Sequence, residues 1–295
     1  EDPYLGQELD RYFPDRLSRR YAALLGEHRL RREIIVTATT NSIVNRMGPT
    51  FVARTQQDTG ADAATVARAY SIAREAFDVR EVWSSIEQLD NRVAAATQYA
   101  MTQDTVGLIR QVTYWLIQRH RGSLGIEAQV ERLRPGIREL TTTLPQGLHG
   151  LEREAFDHRA GELLAAGVPG PLARRIAACA ALASATDIVE LAQQHKLSVA
   201  TAARTYFATG AEFGLDWLGA RIEELDIHGH WQAVARNSLR EALYDSHRGL
   251  THRMLAETRE REPARAVEAW REKHAAAAGH ARGIVDDIRA QPSVA

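Results

Sequence analysis

Asn41 and Asn45 stand four residues apart in HRLRREIIVTATTNSIVNRMGPTF, His28 to Phe51, and on a helix they share one face. A carboxamide donates and accepts hydrogen bonds but is neither nucleophile nor proton shuttle, so the chemistry it offers is recognition. Arg31, Arg32 and Arg46 add planar, permanently charged donors whose fork matches carboxylates and carbonyls. Together Arg31, Arg32, Asn41, Asn45 and Arg46 form a candidate domain interface, with more hydrogen-bonding capacity than amphipathic packing needs. The plainer account of the same residues is a solvated polar face.

Other chemistry-bearing residues converge less. His228 and His230, near His247 and His252 in the chain, form the one histidine cluster worth naming, yet no carboxylate or cysteine completes it at a ligand spacing, and no metal site is read. No Glu-x-x-His pair, Gly-x-Gly-x-x-Gly fingerprint, P-loop or serine elbow occurs. Cys179 is the single cysteine and lies in IAACAALA, where a small buried residue fits. IVELAQQHKLSVATAARTYFA has the spacing of a DNA-reading helix-turn-helix, with Ser198 as cap of the second helix. Against that, Thr201 and Arg204 are nearly all its second helix offers to base edges, and Asp187, Glu190 and Glu212 outweigh Lys196 and Arg204.

The elements that would carry these residues are helices. Ala, Leu, Arg and Glu recur at three- and four-residue steps, and no convincing alternating strand appears. In the stretch around Asn41, Ile34, Ile35, Ala38, Ser42, Ile43 and Met47 make the inward stripe, and Gly48 and Pro49 stop the helix. Asp62 reads as the N-cap of a helix with Val66, Ala69, Tyr70, Ala73, Ala76 and Phe77 inward. A long helix follows to about His120, ending in the basic Arg119, His120 and Arg121. In another long helix, from about Trp231 to Glu257, the pattern puts Ala235, Leu239, Ala242, Leu243, Ser246, Leu250 and Met254 along one side, and Pro263 starts a charged amphipathic tail. The reading is all-α, a multi-helix bundle with room for two helical subdomains: 1–121, a broken connection over 122–150 marked by Pro135, Gly136, Pro145, Gly147 and Gly150, and 151–295.

At 295 residues the chain can bury a sizeable core. A formal net charge of -1 supplies no field to gather nucleic acid or an anionic membrane. No run approaches the roughly 20 apolar residues of a membrane span. EDPYLGQELD has no initiator Met, basic n-region or apolar h-region, so no secretory signal is read and Glu1 is taken as a cut end. Lys196 and Lys273 are the only lysines among 37 basic residues.

Laid out in this order, LRREIIVTATTNSIVNRMGPTFV, VARAYSIAREAFD, DIVELA, YFATGAEFGLDWL and HWQAVARNSLREALYDSHRGLT resemble the C-terminal helical region of the large bacterial NAD-specific glutamate dehydrogenases. The resemblance covers most of the chain, with two departures. Arg29 stands where a proline is expected, and the tail beyond Thr251 matches nothing further. It implies a parent enzyme converting L-glutamate, NAD and water to 2-oxoglutarate, ammonium and NADH on a nucleotide domain and a lysine-assisted substrate site. Neither Lys196 nor Lys273 sits in a catalytic motif, and no strand-turn-helix is present to hold a pyrophosphate. The resemblance therefore implies a non-catalytic module with no cofactor of its own, NAD belonging to the parent. Its implied partner is the catalytic domain of the same polypeptide, within a cytoplasmic homo-oligomer that touches neither nucleic acid nor membrane. The alternative is a stand-alone helical binding or regulatory module, with the helix-turn-helix as its DNA reader.

Overall fold

The computed structural model describes residues 3–119, 122, 124–258, 260 and 262–291, and among these it is all-α. After a 3-10 turn at Pro3–Leu5 come α1 (Gly6–Tyr12), α2 (Asp15–Arg20), α3 (Ala22–Leu25), α4 (Arg31–Met47), α5 (Phe51–Thr59), α6 (Ala63–Ala76), α7 (Val79–Glu87), α8 (Ala95–Arg119) and α9 (Ile126–Gly147). The second half holds α10 (Gly150–Ala165), α11 (Gly170–Ala177), α12 (Cys179–Leu182), α13 (Ala185–His195), α14 (Val199–Phe213), α15 (Leu215–Glu223), α16 (His230–Glu257), α17 (Pro263–Lys273) and α18 (Ala275–Ala290). The chain divides into two compact units, one of residues 1–90 with 95–135, the other of 91–94 with 136–295.

In the first unit α6 is the central helix, packed by α4, α5, α7 and α8. Asp62 caps it, its carboxylate accepting from the Thr65 N–H at 2.7 Å, while Gly60 takes the left-handed conformation (φ 73°) that ends α5. Burial extends around α6 from Ala69 to Ala76, so Arg74 and Glu75 are enclosed with the apolar residues. Leu9, Leu25 and Ile35 form a smaller cluster where α1 and α3 meet α4.

Three expectations about helix course are corrected here. The segment 122–150 carries α9 rather than a broken connection. Ile126, Val130, Leu133, Ile137, Leu140 and Leu144 step by three and four and are all buried, so one apolar stripe runs straight through Pro135. Its burial, at about 1.5–3 kcal/mol per side chain, outweighs the roughly 3 kcal/mol a mid-helix proline costs. By sequence Pro14 can start a helix through DRLSRRYAALL that Gly26 stops, and the tail to Ile288 reads as one amphipathic helix; the first is divided at Tyr21 into α2 and α3, and the second at His274 into α17 and α18. His120 and Arg121, expected as the basic end of α8, lie outside the described residues.

In the second unit α14 is central, packed by α10, α13, α15, α16, α17 and α18. Ser198 caps it as expected, accepting from the Thr201 N–H at 3.1 Å. Ala202, Ala203, Tyr206, Phe207, Gly210 and Phe213 are buried and Arg204 is the one exposed residue of α14, so the helix presents little to read base edges and the helix-turn-helix reading is not favoured. Two positions mark the close packing around it. A Cβ on Gly210 would lie 2.9 Å from Cε1 of His247, and one on Gly136 would lie 2.8 Å from a methyl of Val189 on α13. Phe213, Met254, Val267, Trp270 and Ala278 close the core at the C-terminal end. Cys179 is buried.

The inward side of α16 also differs in part from the one read. His247, Thr251 and Met254 are buried, whereas Ala235, Leu239, Ala242 and Ser246 are exposed, Leu239 to 51%. Met254 is buried as read, Leu250 packs against the same core and Leu243 is half-buried, so the stripe holds toward the C-terminal end of α16 and fails at Ala235, Leu239, Ala242 and Ser246, where periodicity missed the polar His247 and Thr251.

Candidate functional site

Three of the five candidate interface residues, Asn41, Asn45 and Arg46, line one cavity of about 650 Å³ in the first unit. Helix α4 seats its buried residues Ile35, Thr39, Ile43 and Met47 inward, which turns Asn41 and Asn45 outward over the cavity and leaves both exposed. Among the described residues neither amide has a hydrogen-bonding partner in the chain. Arg31 and Arg32 do not line the cavity. Arg31 is half-buried beside Gly6 of α1, where a Cβ would lie 3.6 Å from its guanidinium, and Arg32 faces solvent.

The floor of the cavity is a charge network that joins α1, α4, α6 and α7. Glu8 accepts from Arg74 at 2.7 Å, from Arg11 at 3.4 Å and from Arg80. Glu75 accepts from Arg74 at 3.0 Å and Arg80 at 2.7 Å and lies 3.8 Å from Arg11. Arg74, wholly buried, also donates to the Ser42 hydroxyl at 2.9 Å, and Ser42 lies 2.9 Å from the Tyr70 hydroxyl. A buried charge without partners would be costly, and here all three nitrogens of Arg74 have an acceptor. Burial pushes the Glu75 carboxyl up, but its bond to Arg80 and the charges of Arg74, Arg80 and Arg11 outweigh that and hold it below the ordinary glutamate value.

At the rim Arg46 pairs with Glu87 at 2.5 Å and lies over the Trp83 ring at 4.6 Å, while Trp83 Nε1 donates to Thr105 at 2.9 Å. Arg134 pins the turn into α7, donating from Nε to Asp78 at 2.8 Å where Asp78 takes a left-handed conformation (φ 50°).

Glu8, Arg11, Arg80, Trp83 and Glu87 were not singled out from the sequence. The available signal was Arg74-Glu75, a charged pair inside the helical run VARAYSIAREAF. It was legible only as one polar face, because apolar periodicity marks one buried side and not enclosure on all sides.

A second, smaller cavity of about 320 Å³ in the other unit is lined by His195, Leu197, Thr201, Thr205, Leu255, Thr258 and Glu260. His195 Nε2 lies 2.9 Å from His252 Nδ1, a geometry that needs a proton on one ring only, and burial with the neighbouring His252 holds His195 below its ordinary value. His247, from the same sequence cluster, instead bonds the Tyr206 carbonyl at 2.7 Å and stacks on its ring at 3.6 Å. His247 and His252, two members of that cluster, thus serve separate packing roles.

The site is a polar, arginine-rich cavity on an all-helical scaffold with no strand among its described residues. The chain belongs to the family described as glutamate dehydrogenase, C-terminal, whose model matches residues 1–295. It is 33% identical over 289 residues to the NAD-specific glutamate dehydrogenase of Halomonas elongata and 33% over 291 residues to that of Pseudomonas aeruginosa, each covering 98% of this chain. The Mycobacterium tuberculosis NAD-specific glutamate dehydrogenase is 30% identical over 283 residues. The chain spans about 18% of the length of the first two relatives and 17% of the third. No helix among the described residues is long and apolar enough to cross a membrane.

Proposed function

We propose that this chain acts as a non-catalytic helical domain of an NAD-specific glutamate dehydrogenase, bearing on the catalytic part of the same polypeptide and supporting a homo-oligomeric, cytoplasmic enzyme. The observation that carries the reading is the pair of exposed amides on α4, Asn41 and Asn45, which have no partner among the described residues, in a chain that spans about 18% of the length of its Halomonas and Pseudomonas relatives. Amides displayed beside Arg46 at the mouth of a cavity suit backbone carbonyls and carboxylates of a neighbouring domain. The catalytic lysine and the pyrophosphate cradle belong to the remainder of the enzyme, so this chain by itself binds no NAD and oxidises no glutamate.

The test is the double variant Asn41→Ala with Asn45→Ala. In the 295-residue chain the melting temperature should stay within a degree or so, since exposed amides with no partners contribute little. In a polypeptide of the relatives' full length, domain docking and NAD-dependent glutamate oxidation should fall, with roughly 1–3 kcal/mol lost per partner left unsatisfied. Unfolding of the isolated chain by the double variant, with docking spared, would show the amides to be internal struts.

A further inference from the structure

The charge count of the cavity is unequal. Arg11, Arg46, Arg74 and Arg80 face Glu8, Glu75 and Glu87, which leaves one guanidinium charge uncompensated. The inner four of these groups are fixed by one another: Arg74 is wholly enclosed, Glu8 and Glu75 are nearly so, and Arg80 bridges the two carboxylates. Arg134 adds nothing to the sum, because Asp78 neutralises it. The excess charge therefore falls to the more exposed Arg11, at the cavity floor. Above it the lining is neutral and rich in hydrogen-bonding groups, from Asn41, Asn45, Ser42 and Ser84, with the Trp83 ring as one wall.

A small molecule entering this space meets a net charge of one, a guanidinium fork and amides that both donate and accept. We propose that the cavity binds a small carboxylate carrying a single negative charge, held at Arg11, with its polar remainder read by Asn41 and Asn45. A monoanion brings the cluster to neutrality. A dianion would overshoot it and meet Glu8 and Glu87 as like charges at short range. The planar carboxylate matches the bidentate fork of arginine, and partial enclosure strengthens the pairing over its value in open water. This inference uses the same face as the docking reading but does not rest on docking, since it concerns the chain alone.

The experiment is titration calorimetry of the 295-residue chain with sodium lactate as monoanionic probe and sodium sulfate as dianionic probe, at constant ionic strength and pH 7.5. Lactate should bind saturably at one site and sulfate should bind more weakly. Two variants move the charge count to zero by different routes. Asn45→Asp adds a carboxylate at the mouth, and Arg11→Gln removes the excess cation. Each should weaken lactate by at least about tenfold. Asn45→Ala, which keeps the charge, should weaken it by less than either. Asn45 is exposed, so Asn45→Asp should fold, with a melting temperature at or above that of the unsubstituted chain. Absence of saturable lactate binding, sulfate binding tighter than lactate, or equal lactate affinity in Asn45→Asp and the unsubstituted chain would each overturn the proposal. None of those results bears on docking, which is read in the longer polypeptide with the double alanine variant.

Discussion

The two units enclose polar groups in different ways. In the first, Arg74, Glu8, Glu75 and Arg80 are fully cross-paired, and Glu75 is held below the ordinary glutamate value. In the second, Asp187 is likewise paired with Arg248 at 3.6 Å, but several enclosed groups are driven toward neutrality. Burial, reinforced by Asp216, pushes the Glu152 carboxyl up to about 8, and its Oε2 has no hydrogen-bonding partner among the described residues. Burial lowers His247 to about 4 despite its bond to the Tyr206 carbonyl, and it raises Tyr244 and Tyr206 well above the ordinary tyrosine value. The difference follows from what lies within reach. A carboxylate with two or three guanidiniums is better off ionised, whereas one facing only another carboxylate is better off protonated. The first unit should therefore be sensitive to deletion of a partner, and the second to pH.

The largest effect expected from that contrast is at Arg74. Arg74→Met leaves Glu8 and Glu75 enclosed with less compensation and should cost about 3–5 kcal/mol. Hydrogen exchange would locate it: amide protection should collapse over residues 63–76 while α14 keeps its own. Equal loss in both units would mean that the network does not belong to the first unit alone.

A smaller effect is expected at Glu152. A carboxyl raised in the folded state stabilises fully below its unfolded value near 4.5, and that contribution is lost as pH rises toward about 8. His247 acts in the other direction. Its lowered value means stability is present above 6.5 and lost as pH falls toward about 4. The two slopes cancel between 4.5 and 6.5, so the second unit should weaken mainly from pH 6.5 to 8. Glu152→Gln should remove that decline, a gain on the order of 2 kcal/mol at pH 8 once the partial exposure of the carboxyl is discounted. Urea unfolding at pH 6 and pH 8 measures it, and an unchanged pH slope in the variant would sink the assignment.

The smallest effect is at Leu239. Periodicity read it as core, where Leu→Ala costs roughly 2–5 kcal/mol. At 51% exposure it should cost no more than about 0.5 kcal/mol by the same urea assay. A loss of core size would mean that something covers this side of α16 in solution.

Much of the local structure was legible in the residues themselves. Asp62 and Ser198 are capping residues by chemistry, Gly60 tolerates the left-handed turn, and the apolar steps through α4, α6 and α14 require helices whatever surrounds them. Asn41 and Asn45 were placed on one face by their spacing alone, and the motifs quoted in order carried the family.

Tertiary structure decided everything that depends on what a helix meets. Pro135 ends a helix by local propensity, yet six buried residues at helical spacing carry α9 past it. The positions of α16 that pack inward include His247 and Thr251, because Tyr206 and Gly210 on α14 offer a carbonyl and a gap shaped for an imidazole, and no one-dimensional pattern contains that partner. Arg74 meets Glu8 across 66 positions of sequence, and that pairing, not the composition of either segment, turns a polar face into the floor of a cavity. Local backbone chemistry is a property of a few consecutive residues and is written in them. The sign of a cavity or the charge state of a carboxyl is a property of groups that only folding brings within a few ångströms.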